Sequence, residues 1–215
     1  MEYKKKWDQY KIGDVEWINI NKEHTCRNKY IEYVLNSSFN KILEIGGGEL
    51  LEAQRIISNK GIRYSVIDVS KTFLQHYKKM GVEFKEGDMI KIPYPDKEFD
   101  LVYMSSVIEH SPGIKKTILE LKRVSSFFYI NMFKWRMKTG GLKSLYVKNK
   151  KYYSSYFNIW KLIDLFSKFS SIERMFLSNR DGKNPEIIEF SEYKYDGDEH
   201  RTGWYLTIIG KWRQN

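Results

Sequence analysis

The chain is poor in cysteine, in proline and in long apolar runs. Cys26 is the single cysteine among 215 residues, so an intramolecular disulfide is impossible and a cysteine zinc cage is excluded. No apolar stretch approaches the roughly 18 residues that span a bilayer. Met1 to Trp7 is a basic start with no apolar segment behind it, so it does not read as a secretory signal. No internal repeat is evident. Together these absences predict a soluble, cytoplasmic protein. Hydrophobic residues at 41% with 16% aromatics argue against disorder, and the length predicts one domain with appended elements.

Acidic charge is scarce in one window only. Residues 111–183 hold 16 Lys/Arg against four Asp/Glu, whereas the rest of the chain is close to neutral. Such a surface attracts an acidic substrate or partner; a solvated lysine-rich surface looks the same.

The most informative segment is Lys41-Ile42-Leu43-Glu44-Ile45-Gly46-Gly47-Gly48-Glu49-Leu50. It reads as a buried strand entering a glycine turn that opens a helix, where an α/β sheet receives a nucleotide-like ligand. Asp68 ends the next apolar run, Tyr64 to Ile67, and an acid there is placed to accept from ribose hydroxyls. The glycines do not fit a dinucleotide fingerprint, because Leu51 stands where the third glycine should be.

Apolar runs then alternate with helical spacing. Strands are predicted over Ile42–Ile45, Tyr64–Ile67, Val82–Lys85, Phe99–Met104 and Phe127–Met132. Helices are predicted over Leu50–Asn59, from a Ser70 cap to near Gly81, and from Pro112 onward. Before them, Arg27–Leu35 carries helical spacing. After Phe133 the rhythm breaks into a basic, tyrosine-rich stretch (Tyr146, Tyr152, Tyr153, Tyr156), a helix over Phe157–Phe169 and closing strands over Ile172–Leu177 and Trp204–Gly210. Residues 178–203 read as a long polar flap. The expected fold is therefore α/β: a doubly wound, Rossmann-like, seven-stranded and mostly parallel sheet, with helices on both faces and an antiparallel closing strand. A single domain 1–215 is expected, divided into a helical lid and lead-in (1–40), a donor-binding core (41–132) and a substrate-side region (133–215).

Five landmarks in order, each at a strand end, carry a resemblance: Glu44-Ile45-Gly46-Gly47-Gly48, Ile67-Asp68-Val69-Ser70, Gly87-Asp88-Met89, Phe99-Asp100-Leu101-Val102 and Ile108-Glu109-His110. Residues 41–132 resemble the core of the class I S-adenosylmethionine-dependent methyltransferases, in their type 11 group of small-molecule enzymes. The flanks carry no such match. The resemblance implies that Gly46, Gly47 and Gly48 let backbone amides approach the methionine part of the donor, for which the lack of Cβ atoms is the physical reason. It further implies that Glu44 orients the loop and reaches the donor's amino group through water. Asp68, with Val69, would meet the ribose, Asp88 the adenine amine, Met89 the adenine face and Ser105 the methionine moiety. Competing readings stay open: a loop cap for Asp88, core packing for Met89 and a plain sheet edge for Ser105 and Ser106.

His110 follows the fourth strand, where donor methyl and acceptor would meet. Histidine titrates in the range useful for taking a proton from an alcohol or phenol, so it is the candidate base; packing at the next helix is the alternative. Glu109-His110 resembles part of the Glu-x-x-Glu-His signature of metal-dependent ubiquinone O-methyltransferases, but Ser106 replaces the first glutamate. One carboxylate and one imidazole make a poor cage for a hard divalent ion, so no metal is assigned. Asp196, Asp198, Glu199, His200 and Arg201 form a second polar cluster, read first as a solvated loop and otherwise as a metal or substrate site. The tyrosines and lysines of 146–156 form a stacking-plus-charge surface suited to nucleic acid or sugar phosphates, or cover a core edge.

The expected activity is transfer of a methyl group from S-adenosylmethionine to an oxygen of a small or saccharide acceptor, with S-adenosylhomocysteine as product. Trp7 and Tyr10 are candidate lid aromatics. A phosphorylated or nucleotide-linked acceptor suits the basic window. Two rivals stand beside it. An RNA or DNA methyltransferase fits the charge but lacks the Asn/Asp-Pro-Pro-aromatic motif typical of amino-group methylation on bases, since the fourth strand ends in Met104-Ser105-Ser106. A non-catalytic donor-binding protein is the other.

Overall fold

The computed structural model describes residues 7–8, 25–138, 141–142, 145–147, 152–179, 184–193 and 204–214. Tyr10 and the cluster at 196–201 lie outside the described residues.

Helix α1 (Thr25–Leu35) precedes strand β1 (Lys41–Ile45), helix α2 (Leu51–Lys60), strand β2 (Arg63–Asp68), helix α3 (Leu74–Lys79) and strand β3 (Glu83–Glu86). Strand β4 (Phe99–Ser105) leads through a 3₁₀ turn at Ile108–His110 to helix α4 (Ile114–Val124) and strand β5 (Ser125–Met132). Four short strands follow: β6 (Trp135–Arg136), β7 (Leu145–Val147), β8 (Tyr152–Ser154) and β9 (Phe157–Asn158). Helix α5 (Ile159–Ser167) and strands β10 (Ser170–Asn179), β11 (Ile187–Glu189) and β12 (Trp204–Trp212) complete the order.

The main sheet runs β11-β10-β12-β5-β4-β1-β2-β3. Its five strands from β5 to β3 are parallel, while β12 is antiparallel to both β5 and β10. Seven strands are expected from the sequence and eight are found. The extra one, β11, pairs antiparallel with β10 through Ile187, Ile188 and Glu189, inside the segment read as a polar flap. Its three residues are too short a run to show an alternating pattern.

Each face of the sheet buries its own apolar cluster. Tyr30, Ile31 and Val34 of α1, Ala53 and Ile56 of α2 and Tyr77 of α3 pack on Ile42, Val66, Leu101 and Tyr129. Ile114, Ile118 and Leu121 of α4 with Leu162 and Phe166 of α5 pack on Leu43, Val102, Met104, Phe128 and Ile208 on the other face. Alternate strand residues supply the two clusters, as the twofold repeat of an extended chain requires.

Helix starts depart from the sequence reading. Ser70 does not cap α3, which begins four residues later with no side-chain cap; its hydroxyl accepts instead from the Thr72 amide at 3.1 Å. Pro112 lies outside α4, whose cap position is Gly113. α2 does stop at Gly61, whose φ of 63° is the left-handed conformation that glycine adopts without strain. The helix read from Phe157 begins at Ile159. Asn158 caps it by accepting from the Lys161 amide at 3.1 Å while donating to Met137 and Lys138 carbonyls, so the side chain also ties β9 to the chain after β6.

Candidate active site

Register brings the predicted residues to one edge. β1 pairs Ile45 with Ile67 of β2 and with Met104 of β4, so Gly46 stands level with Asp68 on one side and Ser105 on the other. β2 in turn pairs Asp68 with Glu86 of β3, two residues before Asp88. Residues scattered over 60 positions thus line the carboxyl ends of four neighbouring strands, where open α/β sheets bind their ligands.

The glycine loop owes its shape to two kinds of constraint. Gly46 has φ 68°, and a Cβ on it would lie 2.7 Å from Val107 Cγ2. A Cβ on Gly47 would collide with Leu50 and come within 3.1 Å of Val66. Gly48, at φ 53°, faces nothing within 4 Å, which leaves its side open to a ligand. Leu50 also sits at positive φ (51°), and its buried side chain holds the turn into α2.

Glu44 lies below this loop, nearly fully buried. Its Oε2 accepts from the Tyr64 hydroxyl at 2.7 Å, and the Tyr30 hydroxyl lies 3.1 Å from that of Tyr64. Burial, with the Glu52 carboxylate nearby, holds the Glu44 carboxyl well above the ordinary range. Glu52 itself pairs with Arg27 at 2.8 Å. Glu44 thus shapes the strand end from within the core.

Asp68 ends β2 half-buried, its Oδ1 accepting from the Ser70 amide at 2.9 Å. Burial pushes its carboxyl up to about 6, against the pull of the Ser70 and Val69 amides. Val69 is half-buried beside it. Asp88 is buried; its Oδ1 accepts from the Ile90 amide at 3.2 Å and its carbonyl from Lys91 at 2.9 Å, so it shapes the turn after β3. Met89 is buried in the same core cluster as Ile45, Ile67 and Ile108. Ser105 is half-buried at the end of β4. Ser106 holds a left-handed φ of 56° while its amide donates to the Asn131 carbonyl at 2.9 Å.

His110 closes the 3₁₀ turn and is half-buried. Trp7 meets it edge to face, and the Trp7 carbonyl accepts from the Thr72 hydroxyl at 3.4 Å. The next residue, Asp8, accepts from the Ser70 hydroxyl at 2.7 Å. One short segment therefore joins the exit of β2 to the exit of β4. Glu109, by contrast, is fully buried. Its Oε1 accepts from the Phe133 amide at 2.7 Å and the Lys134 amide at 3.3 Å, and its carbonyl accepts from Ser155. Among the described residues no three His, Cys, Asp or Glu side chains stand together as a metal site. Beyond Glu109, the Arg136 guanidinium lies over the Tyr156 ring at 4.5 Å, with Lys134 at 5.9 Å.

The sequence reading missed Tyr64, Val107 and Glu109 as supports of the site. Only the alternation of faces pointed to Tyr64, two residues before Val66 on the same side; nothing in the sequence announced Val107.

Comparison with known proteins agrees with this geometry. Residues 43–126 match the family model described as Methyltransferase domain, of the type 11 group. Sterol 24-C-methyltransferase of Yarrowia lipolytica is 24% identical over 186 residues, covering 80% of this chain and 46% of that protein. The chain spans less than half the length of the curated relatives it matches. A SAM dependent methyltransferase from Aquifex aeolicus superposes with a TM-score of 0.58 at 16% identity, covering 96% of this chain and 95% of that one. The Burkholderia thailandensis 1,6-didemethyltoxoflavin-N1-methyltransferase, solved with its acceptor and S-adenosylhomocysteine, gives 0.61 at 13% identity, over 89% and 80% of the chains. Among the described residues no helix is long and apolar enough to cross a membrane. With a family model matching residues 43–126, the matching fold and a glycine turn between Asp68 and Ser105, residues 43–126 form a methyltransferase domain with the fold of S-adenosylmethionine-dependent methyltransferases.

Proposed function

We propose that this protein transfers a methyl group from S-adenosylmethionine to an oxygen atom of a small or saccharide acceptor bearing an acidic group. The observation that carries the reading is the alignment of Gly46–Gly48, Asp68 and Ser105 at one level of adjacent parallel strands. Bound donor supplies an electrophilic methyl carbon, and in-line displacement by the acceptor oxygen releases S-adenosylhomocysteine. The chain's own residues supply positioning, which is the main catalytic contribution for such a displacement. Gly48 leaves room for the donor's methionine end, Asp68 accepts from the ribose hydroxyls and Asp88 receives the adenine amine. His110 takes the proton from the acceptor oxygen. Trp7 closes the crevice against water. Lys134 and Arg136, beside the His110 turn, hold the acceptor's anionic group. A cytoplasmic setting and a single working unit across 1–215 belong to the same reading.

Calorimetry with S-adenosylmethionine and with NAD tests the donor, and a screen that detects S-adenosylhomocysteine release tests the acceptor. Binding of the first compound alone is the expected result; binding of NAD, or of neither, overturns it. The excess of 16 basic over four acidic residues in 111–183 favours one second reading, methylation of a nucleic acid. That alternative predicts polynucleotide binding that weakens steeply with salt.

A further inference from the structure

A cleft of about 620 Å³ lies at the amino edge of the sheet, between the end of α4, the turn before β4 and the end of β12. β4 enters the sheet there at Phe99 and leaves it at Ser105 beside the donor loop. At ~3.3 Å per strand residue, the cleft is about 20 Å from the crevice. Among the described residues, Lys97, Lys122, Arg123, Lys211 and Arg213 line it, against one acid, Asp96. Asp96 is paired with Arg123 at 2.9 Å, and Glu120 holds the Nε and Nη2 of the same guanidinium. The other four cationic side chains therefore give the cleft a surplus of positive charge.

Lys97 is built into this place. Its backbone takes a left-handed φ of 55°, and its amide donates to the Arg123 carbonyl at 2.8 Å. Its Nζ donates to the Lys122 and Ser125 carbonyls at 2.9 and 2.8 Å, where the negative end of α4 emerges. Partial burial, and then the neighbouring Lys122 ammonium, hold the Lys97 ammonium below its ordinary range. An arriving anion relieves that crowding of like charge. The lining is not polar throughout: Leu119 of α4 is exposed, and Trp212, its indole N–H bound to Ser125 Oγ at 3.1 Å, adds an apolar surface. The strands behind the cleft, β4, β5 and β12, have hydrogen-bonded neighbours on both sides, so no peptide can add to the sheet here. A single carboxylate would leave most of the charge uncompensated, whereas linked phosphates match it. The volume is that of a small-molecule site, roughly 300–1,000 Å³.

We propose that this cleft is a second binding site, for a small ligand whose two or more linked phosphates join an apolar or ring portion, as in a nucleoside triphosphate. Lys97, Lys122, Lys211 and Arg213 receive the phosphates, and Leu119 with Trp212 receives the ring. The site goes beyond the methyl-transfer reading and does not rest on it. It also sets Lys122 and Arg123, members of the basic 111–183 window, at the edge of the sheet opposite the crevice.

The test is calorimetry on the full chain at low salt with uridine triphosphate, tripolyphosphate and uridine, in the presence of S-adenosylhomocysteine. A uracil base and the added S-adenosylhomocysteine keep the probe from competing for an adenosyl site. Expected are saturable binding of uridine triphosphate, weaker binding of tripolyphosphate and none of uridine. Lys211→Gln and Arg213→Gln, both at exposed positions, should each weaken uridine triphosphate binding about tenfold, the scale of a lost charged hydrogen bond. Lys78→Gln, at an exposed position of α3, should change nothing. Leu119→Ser should weaken uridine triphosphate but not tripolyphosphate. Absence of saturable binding, undiminished binding in both glutamine variants, an equal loss in Lys78→Gln, or equal affinity for tripolyphosphate overturns the site. Tighter binding of an oligouridylate through the same residues overturns it too, since the cleft would then be part of a nucleic-acid surface.

Discussion

The Trp7 indole meets the His110 imidazole edge to face, with ring centroids 5.1 Å apart and planes at 67°. This contact carries the start of the chain across the crevice, since Trp7 and Asp8 are held on the far side by Thr72 and Ser70. An aromatic pair of this kind is worth about 0.5–1.5 kcal/mol beyond its area. Trp7→Ala should therefore weaken S-adenosylmethionine binding about three- to tenfold, mainly through faster dissociation. Stopped-flow release of the donor measures it; an unchanged dissociation rate would remove Trp7 from the closure.

His110→Ala should weaken donor binding no more than Trp7→Ala does, since both remove the same ring contact, and lower turnover by about a hundredfold or more, the usual scale of a lost general base. Parallel calorimetry and S-adenosylhomocysteine release separate the two effects. Equal turnover in both proteins would reduce His110 to packing against Trp7.

On the proposed reading, Asp68 should set the pH dependence of donor binding. Its carboxyl, pushed up to about 6, must be ionised to accept from two ribose hydroxyls. Affinity should thus be full above pH 7 and fall as pH drops through about 6, by at most tenfold per unit. Without donor, the raised value means that the folded state prefers the protonated acid: this stabilisation is complete below the unfolded value of about 4 and lost as pH rises through about 6. Asp68→Ala should abolish the pH dependence of binding and weaken it about ten- to a hundredfold. Titration calorimetry at several pH values reads both.

The glycines of the loop should differ in what they cost. Gly46→Ala combines left-handed strain with a collision against Val107, whose β-branched side chain has little freedom to move. It should destabilise by about 2–4 kcal/mol. Gly48→Ala meets open space and should cost only about 1 kcal/mol of strain, yet still impair donor binding. Thermal melts with and without donor distinguish them. Equal losses of stability would contradict the contact geometry.

Glu109→Ala deprives the Phe133 and Lys134 amides of their acceptor and should cost about 2–4 kcal/mol. Glu109→Gln retains a carbonyl oxygen for both amides and should cost less than half of that. Chemical denaturation orders the two; the reverse order would show that charge, and not hydrogen bonding, is what the site needs.

The strand-to-glycine passage at Ile42–Gly48 and the aspartate after Tyr64–Ile67 were legible because local pattern dictates them: a mostly apolar strand, a turn needing positive φ, and an acid at a strand exit. β11 was not, because a three-residue edge strand is defined by its partner β10 rather than by its own residues. Ser70 and Pro112 misled for a related reason. Each is a good helix starter in isolation, but Ser70 is drawn to Asp8 and Thr72, and Pro112 sits inside a turn that the Ser111 hydroxyl closes by accepting from the Gly113 amide. Glu109 stands out in the sequence only as a fragment of a metal-ligand signature, because sequence adjacency to His110 carries no information on which way each side chain points.

By itself the sequence determined the alternating architecture, the order of the five strand-end landmarks and the donor-type glycine turn, since each depends on periodicity and backbone conformation within a few residues. Only tertiary structure decided that Glu44 is sunk beneath Tyr64 and that Trp7 reaches His110. Those relations join residues 20 to more than 100 positions apart, and strand register, which no local pattern encodes, is what brings them within reach.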